Sequence, residues 1–151
     1  MSYAKDTSVS PARSRAEIEE QVERFGARAF LSGHQDGAAF VAFEARGRRV
    51  LFRMNLPDPA DHARTATGKV RSAGDRRSAA DKEERRRWRA LALAIKAKLV
   101  AVTDEIETFE SAFMAHIVMP DGLTVADHVA PRIADAYATG QMPPLLPGPK
   151  S

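Results

Sequence analysis

EERRRWRALALAIKAKLVAV, residues Glu83 to Val102, is the stretch that decides the fold. Residues of high helix propensity fill it, and Trp88, Ala92, Ile95, Leu99 and Val102 recur alternately four and three apart, which puts them on one narrow face of a helix. That spacing predicts a central helix with a continuous buried stripe. Arg85, Arg89 and Lys96 flank the stripe on one side and Arg87 and Lys98 on the other, so long aliphatic stems cover its margins while the charges stay in water. Leu93 and Val100 lie nearly opposite, which predicts cover on a second side by another layer or another subunit. The stripe stays in register through Ile106, Phe109 and Phe113, but Thr103, Asp104 and Thr108 favour caps over helix interior, so a break and a second helix opening at Asp104 or Thr108 are expected.

Upstream, Ser14 followed by Glu17 has the spacing of a capping box, and Ile18, Val22 and Phe25 form an apolar stripe that Gly26 ends. A short helix over about Arg15 to Phe25 follows. From Ala27 the period changes to two, and Asp36-Gly37 and Arg46-Gly47 divide the run into three strands. With Arg46-Gly47 as a two-residue loop, Phe43 faces Val50, Val41 faces Phe52 and Ala39 faces Met54 on a core side. The opposite side pairs Glu44 with Arg49 and Phe40 with Arg53. That side, with Phe40 and Leu51 among arginines, is either covered by a helix or a neighbouring subunit or is a base-stacking platform edged with guanidiniums.

Leu56-Pro57-Asp58-Pro59 ends the third strand, because proline gives no ladder donor. Residues 60–80 hold Val70 as their only strongly apolar residue, which predicts a mobile basic loop, with Ser78 or Asp81 capping the central helix after it. Farther on, Pro120-Asp121-Gly122 is a turn and Thr124 with Asp127 a second capping box. A helical segment opens there, Pro131 is expected to kink or split it, Ile133 and Tyr137 to face inward, and Gly140 to end it. The fold class is therefore α+β: a three-stranded antiparallel meander preceded by a short helix and followed by a long central helix and short C-terminal helices. It forms one domain over 14–140, with a flexible N-terminus over 1–13 and an extended, Pro-rich tail over 141–151.

The 151 residues include no cysteine, which excludes thiolate chemistry and cysteine zinc sites and suits a reducing, cytoplasmic setting. No apolar run reaches the roughly 18 to 20 residues that span a bilayer, so no membrane contact is expected. No phosphate loop, GxSxG or HExxH occurs, so no catalytic residue, cofactor or small-molecule substrate is assigned. His116 and His128, with Asp121 and Asp127, match no metal-ligand spacing, and no metal is assigned.

Charge carries the remaining signal. The net charge is +3, yet twelve Lys or Arg stand against four acids from Arg64 to Lys98, and two against seven from Leu99 to Ser151. Arg76, Arg77, Arg85, Arg86, Arg87 and Arg89 concentrate on the loop and the first turns of the central helix, where cations oppose the helix dipole. Phosphate contact explains them, and so do ion pairs with the acidic C-terminal part. The candidate nucleic-acid-binding set is these six with Arg49, Arg53 and Phe40. The companion expectation is a homo-oligomer.

SRAEIE at Ser14 to Glu19, RRWRALALAIKAKL at Arg86 to Leu99, AHIVMPDG at Ala115 to Gly122 and TGQMPPLLP at Thr139 to Pro147 together resemble small uncharacterised proteins of bacterial and bacteriophage genomes. The resemblance implies a mobile-element setting and brings no activity. Three antiparallel strands followed by a long helix also resemble, in topology, the core of single-strand annealing recombination proteins. The functional expectation is a non-enzymatic nucleic-acid-binding protein of a phage or mobile element, for single-strand binding or annealing. The alternative is a structural or adaptor protein acting through contacts between copies.

Overall fold

A computed structural model describes residues 7–149. Helix α1 (Pro11–Phe25) leads into strands β1 (Ala29–Gln35), β2 (Ala38–Ala45) and β3 (Arg48–Asn55), then a 3-10 turn at Pro59–His62. After it come the long helix α2 (Ala73–Thr103), α3 (Phe109–Phe113), a second 3-10 turn at Met114–His116, and α4 (Val125–Thr139). The sheet is an antiparallel meander in the order β1-β2-β3, which makes the fold α+β as its alternating and helical periods imply.

Both hairpin turns have positive φ at their two central residues, 52° and 75° at Asp36-Gly37 and 52° and 73° at Arg46-Gly47, the geometry whose twist matches paired strands. That turn fixes the register. Phe43 faces Val50, Val41 faces Phe52 and Ala39 faces Met54, as the two-residue loop requires, and on the other side Phe40 faces Arg53 and Glu44 faces Arg49. Since side chains alternate along a strand, one face receives Val41, Phe43, Val50 and Phe52, all buried, and α1, α2 and α3 lie on that face.

From α2 the core takes Trp88, Ala92, Ile95, Leu99 and Val102, the stripe read from its spacing, and α1 adds Ile18 and Val22. Phe113 of α3 closes the bottom, edge-on to Phe43 at 5.8 Å and to Phe52 at 6.3 Å, with Phe109 against it at 4.9 Å. Thr108 caps α3 by accepting from the Ser111 amide at 3.0 Å, so the break in the stripe falls at one of the two residues proposed for it. The backbone reaches that corner through Glu105 at φ 60°, a left-handed residue that turns the chain out of α2. Beyond α3, Val118 donates to the Arg49 carbonyl at 2.8 Å and Ile117 bridges Val50, so this short segment covers part of the β3 edge.

Four expectations are corrected. Ser14 does not cap α1: Ser10 does, accepting from the Arg13 amide at 3.1 Å, with Pro11 in the first turn, so helix starts inside the segment read as flexible. The flexible reading of residues 1–6 lies outside the described residues. Ser14 instead faces α2, fully buried, and its hydroxyl finds no hydrogen-bond partner among the described residues. Likewise α2 is capped by Ser72 rather than Ser78 or Asp81, because the Asp75 amide meets the Ser72 hydroxyl at 3.1 Å and nothing between them breaks the helix.

The other two corrections concern α4. It is opened as expected by the reciprocal Thr124–Asp127 capping box, and it runs unbroken through Pro131. The proline forfeits only the bond to the Asp127 carbonyl, one turn back, on a side open to water. Ile133 and Tyr137 do not face inward, and no residue of α4 is buried. Gly140 ends the helix at φ 73°, and residues 141–149 form neither helix nor strand.

Candidate nucleic-acid interface

Residues 60–80 make a folded arm followed by the start of α2. Asp58 opens the 3-10 turn by accepting from the Ala60 amide at 2.9 Å. A small hairpin follows, in which Thr65 donates to the Lys69 carbonyl at 2.8 Å, Arg71 donates to the Ala63 carbonyl at 2.8 Å, and Arg64 pairs with Val70. Gly68 sits at its tip with φ 89°, a backbone that side-chain-bearing residues adopt only at a cost. The arm's guanidiniums are held by carbonyls: Arg64 donates to Gly68 O at 2.9 Å, Arg71 to His62 O at 3.3 Å, and Arg76 to Arg71 O at 3.3 Å. A carbonyl orients a guanidinium without neutralising it. Lys69, Arg77 and Arg85 have no side-chain partner among the described residues, so Arg64, Lys69, Arg71, Arg76, Arg77 and Arg85 keep full charges along the hairpin and the first turns of α2.

The remaining arginines of α2 are bound differently. Glu83 is shared by Arg86 and Arg87, and Arg87 also donates to the Asn55 carbonyl at 2.5 Å, tying the helix to the end of β3. Arg89 donates to Glu17 at 2.5 Å across the α1–α2 seam, and Arg15 lies over the Trp88 ring at 5.4 Å. Three of the six arginines proposed from charge alone are therefore struts of the fold. The hydrogen bond from Arg89 holds the Glu17 carboxyl below the usual carboxylate range against the opposing effect of its burial.

Phe40, Arg49 and Arg53 lie together on the outer face of the sheet. The Phe40 ring lies over Gly33, where a Cβ would come to 3.0 Å from two of its carbons, so glycine on β1 makes room for it. Arg53 stands 3.7 Å from Asp127, and Arg49 has no side-chain partner among the described residues. Leu31, Ala42 and Leu51 share this face, and none of the group belongs to the buried core. Spacing alone had brought out Phe40, Arg49 and Arg53; it missed Arg64, Lys69 and Arg71, whose signal was the Thr-rich stretch around Gly68.

No family model matches the chain, and neither does any curated protein or solved structure. The meander and long helix noted for annealing proteins are present, and they carry no family assignment.

His116 stacks on Phe52 at 3.9 Å and His128 meets Asp121 at 2.7 Å, and the described residues contain no group of three His, Asp or Glu placed to hold a metal. No helix among them is long and apolar enough to cross a membrane. Burial, with Lys98 nearby, lowers the His116 pKa, and the Thr124 backbone amide, foremost, lowers that of Asp127. Both groups and Glu17 thus have folded pKa values below their unfolded ones, so each adds stability that is present above the unfolded pKa and lost as pH falls through the folded one. The urea midpoint is therefore expected to fall in two stages on acidification, first below about pH 6.5 as His116 charges and again below about pH 4. His116→Phe, which keeps the stack on Phe52, should remove the upper stage alone. A midpoint flat from pH 7 to pH 3 would contradict this.

Proposed function

We propose that this chain binds nucleic acid through the phosphate backbone, without catalysis, using the arm and the first turns of α2. The observation that carries the reading is the set of six cations from Arg64 to Arg85 whose charges no carboxylate among the described residues neutralises. Arg76 and Arg77, beside the N-terminus of α2, are unfavourable there by a few tenths of a kcal/mol each, and a polyanion offsets that. Lys and Arg that meet phosphates release condensed counterions and bind without sequence preference. Such binding suits the mobile-element setting that the sequence resemblance implies.

Anisotropy of a labelled 20-base-pair duplex, titrated from about 50 to 300 mM salt, tests this. With six phosphate contacts log K should fall linearly with log salt, with a slope near −5, since each contact contributes about −0.9. No binding at about 50 mM salt, or affinity indifferent to salt, sinks the reading. Competition with a single strand of equal length then asks for strand preference, as single-strand binding or annealing requires. Because the reading rests on the arm and not on the outer face of the sheet, Phe40→Ala should change affinity less than about twofold; a loss of roughly 1–3 kcal/mol on single strands would make the outer face a stacking platform.

The second reading, a structural or adaptor protein acting through contacts between copies, is favoured by one observation: α4 is a 15-residue helix with no buried residue.

A further inference from the structure

Helix α4 and the outer face of the sheet are two apolar surfaces that the described residues leave open. Ala126, Ala130, Ile133 and Tyr137 follow one another at spacings of four, three and four along α4, which sets them on one side. Ile133 is 48% exposed and Tyr137 90%. On the sheet, Leu31 is 61% exposed and stands beside Ala42, Leu51 and Phe40. A helix of this length is marginal in water unless an amphipathic face is packed. We propose that α4 of one copy lies across the outer sheet face of a second copy of this chain.

Three features select a second copy as the occupant. First, the dimensions agree: 15 residues of helix measure about 22 Å, and strands of seven and eight residues about 25 Å. The width of three strands, about 10 Å between the outer two, matches the diameter of a helix. Second, the charges complement each other. Arg49 and Arg53 rim the face, while Asp127 flanks the apolar stripe of α4 beside Ala126, and Arg49 has no side-chain partner among the described residues. Third, α4 leaves its own body at the rim of this same face, where Asp127 stands 3.7 Å from Arg53. Two copies with their outer faces turned toward each other can thus exchange helices reciprocally, so that one symmetric contact covers both open surfaces. Met142, Leu145 and Leu146, past Gly140, are further apolar side chains left exposed. The two contacts together would bury on the order of 1,000–2,000 Å², the range of stable interfaces. The inference stands apart from nucleic-acid binding, because the arm lies elsewhere.

The chain has no cysteine, so introduced thiols report cleanly. Ile133→Cys in one copy and Leu31→Cys in a tagged copy, mixed at about 50 µM and oxidised, should form a mixed disulfide dimer identified by mass. Sedimentation equilibrium of the unmodified chain should give a dimer at the same concentration. Both replaced side chains are exposed, so neither change should unfold the domain. Ile133→Glu with Tyr137→Glu should weaken the dimer at least about tenfold with the helical circular dichroism of the rest unchanged. A monomer at 100 µM overturns the proposal. So does a dimer that forms no mixed disulfide, which would place the contact elsewhere, for example at Leu93 and Val100. An intrachain disulfide in a chain carrying both cysteines, with monomer mass, would show α4 closing over its own sheet and overturns it as well.

Discussion

Trp88→Ala is expected to lower the free energy of unfolding by about 3–5 kcal/mol, a large share of the roughly 5–15 kcal/mol of a domain this size. Trp88 is the largest fully buried side chain, at the point of α2 where α1 crosses, and alanine would leave a cavity that two helices anchored elsewhere could not close. Its ring nitrogen has no hydrogen-bond partner among the described residues. Trp88→Phe therefore removes an unsatisfied donor along with some volume, and it should cost well under half as much as alanine. Urea titration followed by far-UV circular dichroism checks both, since the only tryptophan is the residue being replaced. Equal losses for the two variants would show that the indole nitrogen is satisfied, and a loss under about 1 kcal/mol for alanine would remove Trp88 from the centre of the core.

Joint replacement of Lys69, Arg77 and Arg85 by Gln is expected to weaken duplex binding by about 500-fold at 0.1 M salt. Three phosphate contacts at about 0.9 each flatten the slope of log K against log salt by about 2.7, and the same number gives the loss in log K at that salt. The side chains of these three have no partner among the described residues, so stability should be unaffected. Arg24→Gln with Arg28→Gln is the control, removing exposed cations whose carboxylate partners, Glu20 and Glu44, lie away from the arm. Net charge alone would make each lost charge count alike wherever it sits. An arm that meets phosphate predicts that the control changes affinity by no more than a few-fold, and a comparable loss per charge would show that no localised site exists.

Local rules carried the reading of this sequence far where partners lie close along the chain. The Arg46-Gly47 turn fixed which residues of β2 and β3 face each other, and the four-three spacing of α2 identified every residue of its stripe in the core. The reading failed where a local signal met a tertiary one. Ser14 has capping-box spacing, but Ser10 followed by Pro11 starts the helix a turn earlier and the α1–α2 seam then buries Ser14. Ile133 and Tyr137 have core-like spacing, but no layer of this chain reaches them. The charge map was least legible, because Arg89 finds Glu17 from 72 residues away and Arg87 finds Asn55 from 32. Counting arginines cannot distinguish a strut from a free cation.

The two tight turns of the meander also bear on how fast the chain folds. Every pairing within the sheet joins neighbouring strands, so the hairpins close loops of only two residues and can zip from the turns outward on the microsecond scale of isolated hairpins. The distant events come later: α1 docks on α2 across the 72 residues that separate Glu17 from Arg89, and the chain after α2 returns to the sheet, Phe113 against Phe43 and Ile117 beside Val50, across a span of similar length. Loop-closure entropy grows only logarithmically, by about 0.6 kcal/mol for each doubling of length, so that span adds little to the barrier. Because the strands pair through their own turns, they spend little time open, when they are most prone to aggregation.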